Sequence, residues 1–151
     1  MTKSMPRLRL PEKAVKVKVL RVVLGTNILV SSLLTSGHPA AVVDLIAEGK
    51  IIPFYSNSIL QEYRSVLSRK KFGFSSGQIS RLIDDITRTG IAVEDNPHCS
   101  IKMLDEDDRI FYNAAVEAQA FLITGNTRHF PKESFIVTPV QFIKEREECR
   151  N

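Results

Sequence analysis

The sequence predicts an α/β chain, a three-layer sandwich around a mostly parallel central sheet. Short β-branched runs alternate with longer segments whose apolar residues recur at helical spacing. The run at 17–24 (VKVLRVVL) becomes continuously apolar at its end, and 120–124 (AFLIT) is nearly so throughout, as strands buried on both faces are. No internal repeat or interior linker interrupts the alternation.

Taken in order, residues 1–14 read as irregular, because Pro6 and Pro11 break any helix and apolar periodicity is missing. The first strand, 17–24, is stopped by Gly25-Thr26-Asn27, and 28–34 follows as a short helix with Ile28, Leu29, Leu33 and Leu34 available for burial. Gly37-His38-Pro39 breaks it, with Pro39 suited to the first position of a helix at 40–48 that ends at Gly49. A second strand occupies 51–55. Ser58 and Gln61 can form a capping box for the next helix, whose face is Ile59, Leu60, Tyr63, Val66 and Leu67, with Glu62 at its margin. The basic turn Arg69-Lys70-Lys71 leads to Gly73. Another helix follows, with Ile79, Leu82, Ile83 and Ile86 on one face. A short third strand at 91–93 precedes a polar loop with Pro97. The clearest helix is 107–119, lined by Ile110, Phe111, Ala114, Ala115 and Ala118. The strand 120–124 ends at Gly125-Asn126. A last strand, 134–137, feeds a helix opened by Thr138, Pro139 and Gln141. The expected organisation is a basic extension at 1–16, one domain at 17–147 and a tail at 148–151.

At 151 residues the chain fills one domain, and 43% hydrophobic with 25% charged residues excludes low-complexity disorder and collagen. No apolar run reaches a membrane span and no signal-peptide core is visible, so the expected location is the cytoplasm, with no membrane partner. Cys99 and Cys149 are too few for a disulfide framework, match no zinc spacing and read as reduced bystanders. The basicity is uneven. Residues 1–21 hold seven cations against one acid, Glu12, a net of +6; with +4 overall, the other 130 residues carry −2. The body is mildly acidic, and the basic arm reads as a tail or an RNA tether.

Sites in open α/β sheets form beyond the carboxyl ends of the strands. The polar residues meeting that condition are Gly25-Thr26-Asn27 and Thr124-Gly125-Asn126, and Glu62 and the Asp105-Glu106-Asp107-Asp108 cluster can add carboxylates to the same rim. Such oxygen ligands suit magnesium or manganese, which polarise a phosphodiester and acidify an attacking water. Each piece alone has a bland explanation. Acids at 105–108 favour a helix N-terminus, Thr26 and Asn27 cap a helix, Glu62 is a solvated helix residue, and Thr124-Gly125-Asn126 is a turn. Joint placement is what points to a site. His38, His98 and His129 are isolated, so neither a zinc cluster nor a Ser-His-Asp triad is indicated, and no GxxxxGK[ST] or GxGxxG follows a strand.

Val23-Leu24-Gly25-Thr26-Asn27-Ile28-Leu29-Val30-Ser31, Ile59-Leu60-Gln61-Glu62-Tyr63, Asp105 to Asp108 and Leu122-Ile123-Thr124-Gly125-Asn126 occur in the order and spacing of a PIN domain. Residues 19–143 resemble that family. Thr124 to Pro131 with Thr138-Pro139 is similar to the branch of toxins in bacterial toxin–antitoxin modules. The resemblance implies a magnesium- or manganese-dependent nuclease acting on RNA, a homodimer, and an antitoxin protein as partner. The family's acidic positions fall on Gly25, Glu62, Asp108 and Asn126, and Asp105 is a further acid of this branch. Glu62, Asp105 and Asp108 would hold the ion, and Asn126 and Thr124 would orient water. Thr26 and Asn27 match further polar residues beside the metal. Arg128, His129, Arg69, Lys70 and Lys71 would contact phosphates. Low aromatic content, 7% with no Trp, argues against base stacking as the main mode of recognition.

Gly25 departs from the pattern, since an aspartate that normally ligates the metal is replaced by a residue without side-chain oxygen. Asn126 likewise brings no charge. Fewer anionic ligands weaken the hold on a hard cation. The alternative reading is therefore a degenerate, non-catalytic PIN fold that binds RNA or a protein partner.

Overall fold

The structure, a computed structural model, describes residues 19–95 and 102–150. Five strands form one sheet in the order β3-β2-β1-β4-β5: β1 Arg21–Leu24, β2 Ile52–Tyr55, β3 Ile91–Ala92, β4 Phe121–Ile123 and β5 Ile136–Val137. Every pairing is parallel, with Val22 opposite Pro53 on one side and Phe121 on the other. Six helices flank the sheet: α1 Thr26–Leu34, α2 His38–Ala47, α3 Asn57–Leu67, α4 Ser76–Thr89, α5 Arg109–Ala118 and α6 Pro139–Arg150. This is the α/β three-layer sandwich the sequence predicts.

Parallel strands need crossover connections, and helices supply them. The central strands carry the expected signature: Val22, Val23, Leu24, Leu122 and Ile123 are wholly or almost wholly buried. α5 packs across β1, β2 and β4 through Phe111, Ala114, Ala115 and Ala118, mostly small residues that bring the helix close to the sheet. α1 packs on α2, and α2 on α4 and α6. Gly90 marks a close approach. A β-carbon there would stand 2.4 Å from the Pro53 carbonyl and 2.5 Å from that of Ile86, so the end of α4 meets β2 only with glycine at the contact.

Several boundaries differ from the sequence reading. β1 begins at Arg21, where pairing with Ile52 begins, instead of at 17; residues 17 and 18 lie outside the described part. The cap of α3 is Ser56, whose hydroxyl accepts from Ile59 N–H at 3.2 Å, not Ser58. Ser58 gives its own N–H to Asp95 at 3.0 Å, a partner 37 residues away that displaces the local box. Ser75 and Gln78 form a full capping box for α4 that the apolar pattern does not reveal. The box of Thr138 and Gln141 forms as expected. α6 continues to Arg150, so 148–150 extend a helix of strong helix formers instead of forming a tail. The 1–16 extension, Pro97, His98 and Cys99 fall outside the described residues.

Candidate metal and nuclease site

The strand order sets the place. From β1 the chain winds outward through β2 and β3, then returns to the other side of β1 for β4 and β5. The carboxyl ends of β1 and β4 thus flank a topological switch point, where side chains from two directions converge. Gly25 follows β1 and Thr124 follows β4, joined by a 2.8 Å bond from Gly25 N–H to the Ile123 carbonyl. α5 enters β4 at the sheet's amino edge, so its first residues stand at the carboxyl edge. The Tyr63 hydroxyl of α3 donates to the Leu24 carbonyl at 2.7 Å, which ties the Glu62 helix to the end of β1. Burial raises the Tyr63 phenol far above its ordinary value, so the hydroxyl keeps its proton and acts as a structural donor.

The acidic cluster separates into distinct roles. Asp105 is a cap: its carboxylate accepts from Asp107 N–H at 3.0 Å and opens a 3₁₀ turn, Glu106–Asp108. Glu106 pairs with Arg109 at 2.7 Å, and that hydrogen bond lowers its pKa. Asp107 is exposed. Asp108 precedes α5 yet makes no capping bond, and its Oδ2 is buried without a hydrogen-bond partner. Desolvation, followed by the charges of Asp105, Asp107 and Glu62, raises the Asp108 pKa, while His129 lowers it. His129 Nδ1 lies 3.6 Å from Asp108 Oδ2, so this histidine is not isolated as the sequence suggested, but faces the carboxylate. No local pattern signals that pair, which closes only when β4 and α5 are side by side.

Neutral oxygens complete the rim. Thr26 opens α1 without capping it, and its hydroxyl is a second buried, unpartnered polar atom. The Asn27 carboxamide lies between the two glycines: its oxygen is 3.2 Å from where a β-carbon on Gly25 would be, and its nitrogen 3.2 Å from the corresponding point on Gly125. Asn27 Oδ1 also meets Gly125 N–H at 3.5 Å. Thr124 is buried and its hydroxyl accepts from Asn126 N–H at 3.1 Å, so the turn reading holds there as well. Asn126 itself is exposed and its side chain caps nothing.

The donors fit a hard cation: all are oxygens, and two of them, on Asp108 and Thr26, are buried without a hydrogen-bond partner. Asp108, Thr26, Asn27 and Glu62 are the residues that would hold it, with solvent filling the remainder. Among the described residues no group of three His, Cys, Asp or Glu side chains is gathered closely enough to hold an ion. Asp108 feels the charges of Asp105 and Glu62, but the three do not form such a cage. Magnesium needs only one or two protein carboxylates when it keeps its waters, so the set remains compatible with that ion. Among the described residues no single helix is long and apolar enough to cross a membrane.

Comparison with known proteins identifies the family. A PIN-domain family model matches residues 21–128, from the start of β1 through the turn that carries Arg128. The chain is also 36% identical over 118 residues to an uncharacterized protein of Methanocaldococcus jannaschii, covering 76% of each sequence. It belongs to the PIN-domain family, which is nuclease-like and generally uses divalent metals. No solved structure matches it.

Proposed function

We propose that the chain is a magnesium- or manganese-dependent endoribonuclease weakened by glycine at position 25. The observation that carries this reading is the buried, unpartnered Asp108 oxygen, which faces His129 at the switch point of a PIN fold. A carboxylate desolvated among other acids is held at a cost unless a cation offsets it. The bound ion would activate water and stabilise charge on a phosphodiester. Asp108 and Glu62 would anchor it, Asp105 would set the position of the 3₁₀ turn and add negative potential, and Thr124 and Asn126 would orient water. Arg128 and Arg69-Lys70-Lys71, all exposed, would meet the phosphates. The test is cleavage of a structured RNA with manganese by the wild type and Asp108→Asn. Loss in the variant supports the reading, and equal activity sinks it.

The toxin role extends the proposal to a cytoplasmic enzyme, a homodimer held in check by an antitoxin protein. It is supported by the resemblance of Thr124 to Pro131 to that branch. Growth arrest on expression of this chain alone, absent with Asp108→Asn, is its expected signature. Gly25 favours a second reading, in which the fold binds RNA without cutting it. Manganese-independent binding with no cleavage under any condition would select that reading.

A further inference from the structure

From the turn between α3 and α4 we infer a contact for an unpaired nucleic-acid base, with Phe72 as the stacking surface. The turn is a short 3₁₀ segment, Lys70–Phe72, closed by Gly73 at φ +68, a left-handed conformation that suits glycine. It brings Phe72 and Phe74 together, ring centroids 5.5 Å apart and planes within 11° of parallel. The two rings differ in what holds them. Phe74 packs against the hydrophobic core, whereas Phe72 lies outside it and rests on Phe74, partly exposed. Among the aromatic residues, Phe72 alone is neither in the core nor packed against it.

Three exposed cations, Arg69, Lys70 and Lys71, precede the ring, and none has an ion-pair partner among the described residues. Lys71 places its ammonium 5.2 Å from the Phe72 ring centroid. A base arriving on Phe72 takes that place, and the freed ammonium follows the incoming phosphate. Cations that track a backbone beside an aromatic that takes base faces are the two parts of a single-strand contact. A duplex offers the phosphates but keeps its bases stacked inside. The ring therefore favours single strands without reading sequence.

The segment just after the turn faces the helix that Thr26 opens. Ser75 and Gln78, just beyond the turn, line a cavity with Ser32 and Leu33 of α1. Those residues sit about 10 Å along α1 from Thr26 at 1.5 Å per residue. The inference deepens the nuclease reading, since it names how the substrate is held, but it concerns binding alone and needs no metal.

The experiment is fluorescence anisotropy of the full chain with a 12-nucleotide single-stranded RNA and with a duplex of equal length, in EDTA at low salt. Phe72→Leu, which keeps an apolar side chain, should weaken single-strand binding by about tenfold and leave the duplex unchanged, and Phe72→Tyr should restore it. Lys70→Ala with Lys71→Ala should weaken both and reduce the salt slope for the single strand by about 1.4, two phosphates' worth. A matching melting temperature for Phe72→Leu excludes a folding defect. Equal single-strand affinity in Phe72→Leu and wild type, or a duplex that is bound as tightly as the single strand, overturns the inference. Phe72-dependent binding in EDTA with no cleavage of the same RNA when manganese is then supplied would defeat the nuclease reading and leave this one standing; manganese-dependent cleavage with an indifferent Phe72 would do the reverse.

Discussion

The oxygen of the Asn27 carboxamide lies 3.2 Å from the point that a β-carbon on Gly25 would occupy. Asn27 thus borders the space in which the family's first aspartate would begin. The backbone at Gly25, φ −66° and ψ 149°, is open to any residue, so restoring the acid meets only this neighbour and the edges of Ile123 and Thr124 at 3.4 Å.

Gly25→Asp should therefore fold, losing about 1 kcal/mol to the tight contact. It should bind manganese about tenfold more tightly, through one added anionic ligand. Asn27→Ala should weaken metal binding in the wild type and matter less in the Gly25→Asp background. Calorimetric titration of the two single variants and the double variant gives the coupling directly, and additive effects would show that Asn27 does not serve in place of the missing acid.

Asp108→Asn should stabilise the metal-free protein at neutral pH. The folded-state pKa of Asp108 is raised, mainly by desolvation, so its ionised form opposes folding. The wild type regains relative stability as pH falls through that raised pKa, and the gap between the two proteins closes below the ordinary aspartate value of about 3.9. Manganese should reverse the order at neutral pH, raising the melting temperature of the wild type but not of the variant. Thermal melts at pH 4, 5.5 and 7, with and without manganese, check both signs.

Tyr63→Phe removes the buried bond to the Leu24 carbonyl. The expected loss is about 1 kcal/mol. That corresponds to a fall of about 2–4 °C in melting temperature for a domain of this size. Because Leu24 adjoins Gly25, manganese affinity should fall as well. A variant with lowered melting temperature and unchanged metal affinity would show that the bond supports the fold alone.

Gly90→Ala should cost about 1–3 kcal/mol, since the added methyl meets two carbonyl oxygens at the junction of α4 with β2. Gly77→Ala offers the contrast: the nearest group to its β-carbon is the Ser75 hydroxyl at 3.8 Å, so the change should be neutral or slightly stabilising. Urea denaturation of the two variants distinguishes close approach from a general intolerance of alanine.

What the sequence makes legible is what short stretches decide for themselves. The buried runs of β1 and β4, the apolar face of α5 and the box of Thr138 and Gln141 all follow from local spacing, and the structure has them. The cap of α3 stands two residues before the expected one because Asp95, distant in the chain, takes the Ser58 N–H. The four acids at 105–108 look equivalent along the chain. Only packing divides them into a cap, an ion pair, a solvated charge and a desolvated carboxylate facing His129. The Asn27 and Gly25 relationship is hidden for a similar reason: a side-chain direction belongs to the assembled rim.

The all-parallel order β3-β2-β1-β4-β5 has a consequence in time. Thr26, Glu62, Asp108 and His129 come from segments spread over most of the chain, and β4 is the strand that joins the last of them to the first. A ribosome that has delivered only β1 to β3 has produced no cleft. Oxygen donors and basic side chains meet after residue 129 has emerged and the central pairing has closed. The candidate cleft is thus completed late in the chain's own synthesis, and a chain ended before β4 lacks the Thr124 and His129 side of its rim.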